Sequence, residues 1–305
     1  MKTLVTGSSG LIGSALIESL RQADKDVVCL IRKPSDNPHE FLWNPKVGTI
    51  DLKAFKGVDC IVNLAGYPIA SKRWTPQIKR NILESRTSGT RLISDTIAKL
   101  KKPPRIYISA SAVGYYGNRG DEILDEESSK GTGFLSEVSQ QWEQATGAVD
   151  GVRIAKIRLG VVLSMNGGAL PRIAFPFRLG LGGPIGSGKQ YLSWITLDDV
   201  ISAIQYVIEN DEISGAINLV APTPVTNHDL SKTIGEILRR PSLLPLPAIA
   251  VKMLMGEMGA ELLLASTRVL PQKLQSSRFR FQHPNLAEAL ESIGLGEKGG
   301  ERLKR

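Results

Sequence analysis

The first 160 residues alternate between short apolar runs rich in β-branched side chains and longer segments whose apolar positions recur every three to four residues. Strand–helix–strand units have this texture, and their right-handed crossovers stack helices on both faces of a parallel sheet. The runs predict strands over 2–6, 27–31, 59–63, 105–109 and 153–159, and helices over 11–22, 75–100 and 134–148. Pro76 suits the first turn of its helix, and Pro103-Pro104 mark a stop beyond it.

Beyond Leu163 the chain turns Gly- and Pro-rich, at Gly167-Gly168 and from Gly180 to Gly188, with helices expected near 197–209 and 227–239 and a strand near 216–220. After Pro241, Pro245 and Pro247, residues 246–290 read as helical with a Met/Leu-rich face, which is expected to pack as core. The fold class expected is α/β: a Rossmann doubly wound parallel sheet with helices on both faces, over 1–163. A substrate lobe over 164–240, interleaved with that core, a helical subdomain over 241–295 and a flexible tail over 296–305 complete the expectation.

Composition narrows the function classes. With 305 residues, 42% hydrophobic and 22% charged, the chain can bury a full core. Met1-Lys2 leads straight into the first strand, and no apolar run approaches the ~18 residues of a membrane span. A cytoplasmic location with no membrane partner is the default expectation. Cys29 and Cys60 sit in apolar runs without redox or zinc spacing, and three scattered histidines make no ligand cluster, so no metal is expected. Of the net charge of +8, a surplus of five falls from Arg239 onward, where eleven Lys/Arg face six Asp/Glu. Without an aromatic-interleaved basic stripe, this charge suits an anionic small-molecule substrate rather than nucleic acid.

The strongest chemical signal is Thr6-Gly7-Ser8-Ser9-Gly10-Leu11-Ile12-Gly13, between the first strand and the first helix. Glycines there let backbone approach a pyrophosphate closely, and the helix N-terminus favours negative charge, so Gly7, Ser9, Gly10, Leu11, Ile12 and Gly13 are expected to hold a dinucleotide. Proteins selective for NAD place an acidic residue about 20 positions past the last glycine, against the ribose hydroxyls. Here Arg32 and Lys33 occupy that point, which favours the 2′-phosphate of NADP, although Asp36 nearby leaves a ribose contact open. Small residues after the third strand, Leu64, Ala65 and Gly66, leave room for the adenosine half.

Together these residues resemble the short-chain dehydrogenase/reductase superfamily, in its extended branch of epimerases and dehydratases. The segments Ser109-Ala110-Ser111-Ala112-Val113-Gly114-Tyr115-Tyr116-Gly117, 176–188 and Arg268-Val269-Leu270-Pro271 are similar to the atypical subfamily of epimerase family proteins, which carry a C-terminal domain of unknown function. The resemblance implies cofactor contacts at Asn81, Arg86, Ser109 and Val162, and a serine at Ser111 that polarises the substrate oxygen. It also implies a Tyr-x-x-x-Lys pair opening the next helix, but the chain reads Phe134-Leu135-Ser136-Glu137-Val138 there. Tyr115 and Tyr116, at the carboxyl end of a strand, are the substitute acid/base candidates. Arg178 and Lys189 are expected to meet an anionic group, with Trp194 lining the pocket and the loop of residues 180–188 closing over it. Two readings follow: an NADP-dependent epimerase or oxidoreductase acting on a hydroxyl/ketone centre such as that of a nucleotide sugar, or a noncatalytic NADP-binding redox sensor or scaffold.

Overall fold

The computed structural model describes residues 1–296, so the expected tail lies outside the described residues from position 297 onward. Strands β1 (Lys2–Thr6), β2 (Asp26–Ile31), β3 (Glu40–Asn44), β4 (Thr49–Ile50), β5 (Cys60–Asn63) and β6 (Ile106–Ala112) are followed by β7 (Ile123–Leu124), β8 (Arg153–Leu159), β9 (Val161–Leu163), β10 (Tyr191–Leu192), β11 (Trp194–Thr196) and β12 (Gly215–Leu219). The main sheet runs β12-β8-β6-β5-β1-β2-β3-β4, parallel except for β4. The chain builds outward from β1 to β3, then returns to β5 on the other side of β1 and builds to β12. Strand order therefore reverses between β1 and β5, and the crevice at such a reversal is where open α/β sheets bind ligands.

Period-two alternation sends the strands' side chains into two layers. Leu4, Val28, Leu30, Ile61 and Tyr107 meet Trp43, Phe55 and, from α2 (Pro76–Ile97), Ile93 and Ile97. Val5, Val27, Cys29, Val62, Ile108 and Ile217 meet Leu16 and Leu20 of α1 (Leu11–Gln22), and Val200, Ile204 and Val207 of the later helix Leu197–Glu209. Each fully buried aliphatic side chain contributes about 1.5–3 kcal/mol relative to exposure. The Thr75 hydroxyl caps α2 by accepting the Ile78 N–H at 3.3 Å, with Pro76 in its first turn as expected. Helix α3 is Phe134–Gln144, shorter than its pattern suggested.

Three local differences from the sequence expectation matter. Strand β6 runs on to Ala112, so Ser111 lies in the sheet and pairs with Arg158 of β8. The β3–β4 hairpin was hidden by Pro45 and Gly48 in its turn. The Gly/Pro-rich region contains α4 (Leu170–Arg178), which tolerates Pro171 because it sits in the first turn.

Helix α5 (Leu197–Glu209) lies between β11 and β12; β13 (Val225–Thr226) and α6 (Asn227–Leu238) follow. The rest comprises α7 (Ala248–Met255), α8 (Glu257–Gly259), a π-helical turn at Ala260–Leu264, β14 (Arg268–Val269), α9 (Gln272–Ser276) and α10 (Leu286–Ser292). This segment is stitched back into the core rather than standing apart. β14 pairs with β7, and Asn218 of β12 donates its side-chain N–H to the Leu270 carbonyl at 3.0 Å. Among the described residues no helix is long and apolar enough to cross a membrane.

Candidate functional site

At the reversal between β1 and β5, Gly7 adopts φ +70°, and a Cβ there would come within 2.8 Å of the Leu64 carbonyl carbon. Its lack of a side chain lets the β1 turn lie directly on the Leu64-Ala65 backbone. A Cβ on Gly13 would stand 2.2 Å from the Gly7 carbonyl oxygen, so that glycine lets α1 start tight against the turn. Gly10 closes the turn by donating its N–H to Gly7 at 2.9 Å and is the N-cap of α1. Ser9 and Gly10 are exposed, and Leu11 and Ile12 half-buried, so the helix begins at the surface with first-turn N–H groups that have no intrahelical acceptor. This is a cradle for a pyrophosphate.

Asn63 ties this crevice together. It accepts the Thr6 hydroxyl at 2.6 Å and donates to Thr90 of α2 at 2.8 Å, while the Ala65 N–H donates to Thr6 at 3.3 Å. The buried amide thereby fixes the course of Leu64, Ala65 and Gly66. Beside Gly66 lies the Arg86 guanidinium, 3.3 Å from where a Cβ would be. Its Nη1 donates to the carbonyls of Tyr67 and Ile82, both at 3.0 Å, and burial pushes its pKa down to about 10. Among the described residues no carboxylate pairs with it.

Arg32 and Lys33 are exposed just past β2, and among the described residues neither forms an ion pair. The loop after Val162 returns over the cradle, where a Cβ on Gly168 would lie 3.1 Å from the Leu11 side chain. Ser109 is buried in β6 in the same register row as Thr6 and Asn63. Asn81 accepts a hydrogen bond from Gln77 one turn earlier on α2, at 3.0 Å, and is not brought to the glycine turn by any hydrogen bond.

The three candidate hydroxyls have different surroundings. Ser111 is buried and donates to Glu143 of α3 at 2.7 Å. The Glu143 carboxylate is also held in a two-point pair with Arg158, through Nε at 2.8 Å and Nη2 at 3.0 Å. Tyr116 is buried, donates to Asn218 at 2.8 Å and accepts from Arg158 at 2.9 Å, and burial pushes its pKa up to about 12. Burial, the largest single influence, opposes the Arg158 charge, but its hydrogen bonds to Glu143 and Tyr116 and their charges together outweigh it and hold its pKa above the ordinary arginine value. Ser111 and Tyr116 are thus built into a closed buried network. Tyr115 is half-buried, its ring centroid 3.6 Å from the Arg158 guanidinium carbon, and among the described residues its hydroxyl has no hydrogen-bond partner.

Phe134 opens α3 with its ring edge-on to Trp74 at 4.9 Å and the Lys79 ammonium 4.5 Å from its centroid, while Val138 is buried. Both oxygens of Glu261, from the π-helical turn, accept the first N–H groups of α3, Phe134 at 2.7 Å and Leu135 at 2.8 Å. The C-terminal segment therefore covers the turn where the family pattern carries its tyrosine. Trp194 does not line a pocket: it is fully buried, with its indole N–H on the Thr223 carbonyl at 2.9 Å. The 180–188 loop is tethered rather than free, with the Leu246 N–H on Pro184 at 2.9 Å and the Gly186 N–H on Leu246 at 2.8 Å. Arg178 and Lys189 are exposed. Sequence reasoning passed over Glu143, Glu261 and the side chains of Asn63 and Arg158. The signal for Arg158 was the recurrence of cations, Arg153, Lys156 and Arg158, along β8. Among the described residues no cluster could hold a metal ion.

Comparison with known proteins agrees with this architecture. Residues 3–219 match the model of the NAD dependent epimerase/dehydratase family, and residues 246–293 match a domain of unknown function, DUF1731. An epimerase family protein of Mycobacterium bovis is 43% identical over 94% of this chain and 95% of its own length. The crystal structure of human epimerase family protein SDR39U1 with NADPH superposes with a TM-score of 0.89 at 34% identity, covering 96% of this chain and 99% of that one. A nucleoside-diphosphate sugar epimerase structure from Corynebacterium glutamicum gives 0.80 at 35% identity, covering 97% of this chain and 58% of that longer one. Sequence, fold and the crevice between β1 and β5 agree that the chain belongs to the NAD dependent epimerase/dehydratase family and continues into that domain of unknown function.

Proposed function

We propose that this chain binds NADP in the crevice between β1 and β5 and acts as an atypical epimerase or oxidoreductase on a hydroxyl/ketone centre, without the usual Tyr-x-x-x-Lys pair. The observation that carries the cofactor choice is the unpaired cation couple, Arg32 and Lys33, at the end of β2, where a 2′-phosphate extends from a nucleotide whose pyrophosphate rests on Gly10 and α1. The NADPH in the human relative supports the same choice. Arg86, with no carboxylate partner, supplies a further cation to the anionic cofactor beside Gly66. When bound, the nicotinamide supplies or accepts hydride.

For the proton, Tyr115 is the group in this reading, because its hydroxyl is the one left without a partner among the three candidates. Ser111 and Tyr116 hold the loop that carries it. A nucleotide sugar is the substrate class in view, supported by the Corynebacterium relative's description. The second reading, a noncatalytic NADP-binding sensor or scaffold, draws on Phe134 and Val138 standing where the proton relay is expected and on Glu261 covering that turn.

The experiment is to purify the protein, identify any copurified dinucleotide, and offer NADPH with ketones and nucleotide sugars while following absorbance at 340 nm and epimer formation. Turnover that disappears in Tyr115→Phe supports the enzyme reading. Tight NADP binding without turnover on the whole panel moves the assignment to the sensor.

A further inference from the structure

The Met/Leu-rich stretch expected to pack as core buries Met258, Val269, Leu274, Leu286 and Leu290, but its first part and the residues just before it stay at the surface. Leu243, Leu244, Leu246, Ile249, Met253 and Leu254 are between 39% and 80% exposed. Phe175, Leu179 and Leu181, at the end of α4 and in the loop after it, are exposed as well. The two groups form one surface, because the Leu244 N–H donates to Gly182 at 3.2 Å and the Leu246 N–H donates to Pro184. On α7, Ile249 and Met253 lie one turn apart on the outer side, while Val251 is buried. An exposed apolar patch of this breadth marks an interaction site.

Its charge selects the occupant. No Asp or Glu occurs between Asp150 and Asp198, or between Glu236 and Glu257. The exposed charges on these two stretches are Arg172, in the first turn of α4, and five others, Arg178, Lys189, Arg239, Arg240 and Lys252, and, among the described residues, none of them forms an ion pair. A symmetric second copy would press these acid-free segments against their own copies and set like charges together. Residues 297–305 offer one large apolar side chain, Leu303, and four cations against two acids, so their composition matches neither the apolar area nor the charge. A lipid surface accepts exposed apolar side chains without the shape matching that a folded partner needs.

We propose that the face built from the end of α4, residues 179–189, residues 243–247 and α7 docks on an anionic lipid surface, inserting Leu243, Ile249, Met253 and Leu254 among the acyl chains while the five cations meet headgroups. The absence of a spanning run concerns crossing a bilayer, not lying on one. None of the residues assigned to the cofactor enters this face, so the proposal stands or falls independently of the cofactor assignment.

The test is flotation of the full-length chain with phosphatidylcholine vesicles, with and without phosphatidylglycerol, at low and high salt. Binding is expected only with phosphatidylglycerol and should weaken with salt. It should fall about fivefold for each cation removed in Arg178→Gln and Lys252→Gln. The triple variant Leu243→Ser, Ile249→Ser, Met253→Ser should lose at least about tenfold in binding while keeping its melting temperature, because these side chains are solvated in the folded chain. Failure to float at low salt overturns the proposal, as does flotation that the triple variant retains. A dimer in analytical ultracentrifugation that the triple variant dissolves assigns the face to a second copy. Tighter binding to an acidic amphipathic peptide than to vesicles assigns it to a protein.

Discussion

Ser111 donates its hydroxyl hydrogen to Glu143, 2.7 Å away across the β6–α3 interface, and Glu143 in turn holds Arg158. Removing one member of such a buried pair strands the other charge, at a cost of about 3–5 kcal/mol. Glu143→Ala is expected to unfold at correspondingly lower urea, whereas Ser111→Ala should cost about 1 kcal/mol. A Glu143→Ala protein as stable as the parent would mean that the network is not closed in solution.

The two adjacent tyrosines should separate cleanly. Tyr116→Phe removes a buried hydroxyl that Arg158 and Asn218 both use, so a loss of about 1–3 kcal/mol is expected in chemical denaturation. Tyr115→Phe should leave stability within about 0.5 kcal/mol, since its hydroxyl has no partner to lose. Any turnover found should vanish with Tyr115→Phe.

Gly13→Ala places a methyl 2.2 Å from the Gly7 carbonyl oxygen, with backbone on both sides and no flexible side chain to yield. The turn must open, and dinucleotide binding should fall by at least about a hundredfold, with a stability loss of about 1–3 kcal/mol. Isothermal titration with NADP alongside a thermal melt distinguishes the two effects.

Arg32→Ala should weaken NADP by about tenfold or more, the worth of a charge-assisted hydrogen bond, and leave NAD nearly unchanged. An equal loss for both cofactors in competition titrations would sink the 2′-phosphate assignment.

Glu126 gives a pH signature. Burial raises its carboxyl pKa, one oxygen accepts the Asn218 and Lys273 N–H groups, and the other has no partner among the described residues. In the window from 4.5 up to the raised value the folded state holds more protons than the unfolded chain, so stability falls as pH rises through it. Melting curves of the parent should show this slope on top of whatever other groups contribute, and Glu126→Gln should flatten it. A parent and variant with parallel pH profiles would contradict the assignment.

How much of this was legible beforehand follows from the range over which each feature is encoded. The glycine turn and the cations after β2 are local: spacing along the chain places them on one strand–turn–helix–strand unit, and β1 and β2 are neighbours in the sheet. The Ser111–Glu143–Arg158–Tyr116 network joins residues up to 47 positions apart, and nothing in the local pattern says that Arg158 turns inward to a partner. Ile249 and Met253 depart from expectation for the opposite reason, since apolar periodicity reports what is able to be buried, not what the rest of the chain covers. Trp194, expected from the sequence to line the pocket, has its indole anchored in the core by the Thr223 carbonyl, a partner 29 residues away that no local pattern reveals.

Glu261 on the first turn of α3 has a bearing on biosynthesis. The ribosome delivers Phe134 and Leu135 more than 120 residues before Glu261, whose carboxylate receives their N–H groups. The first turn of α3 therefore stays without these acceptors until a much later segment has been made, and a helix of the first half of the chain is finished by the second.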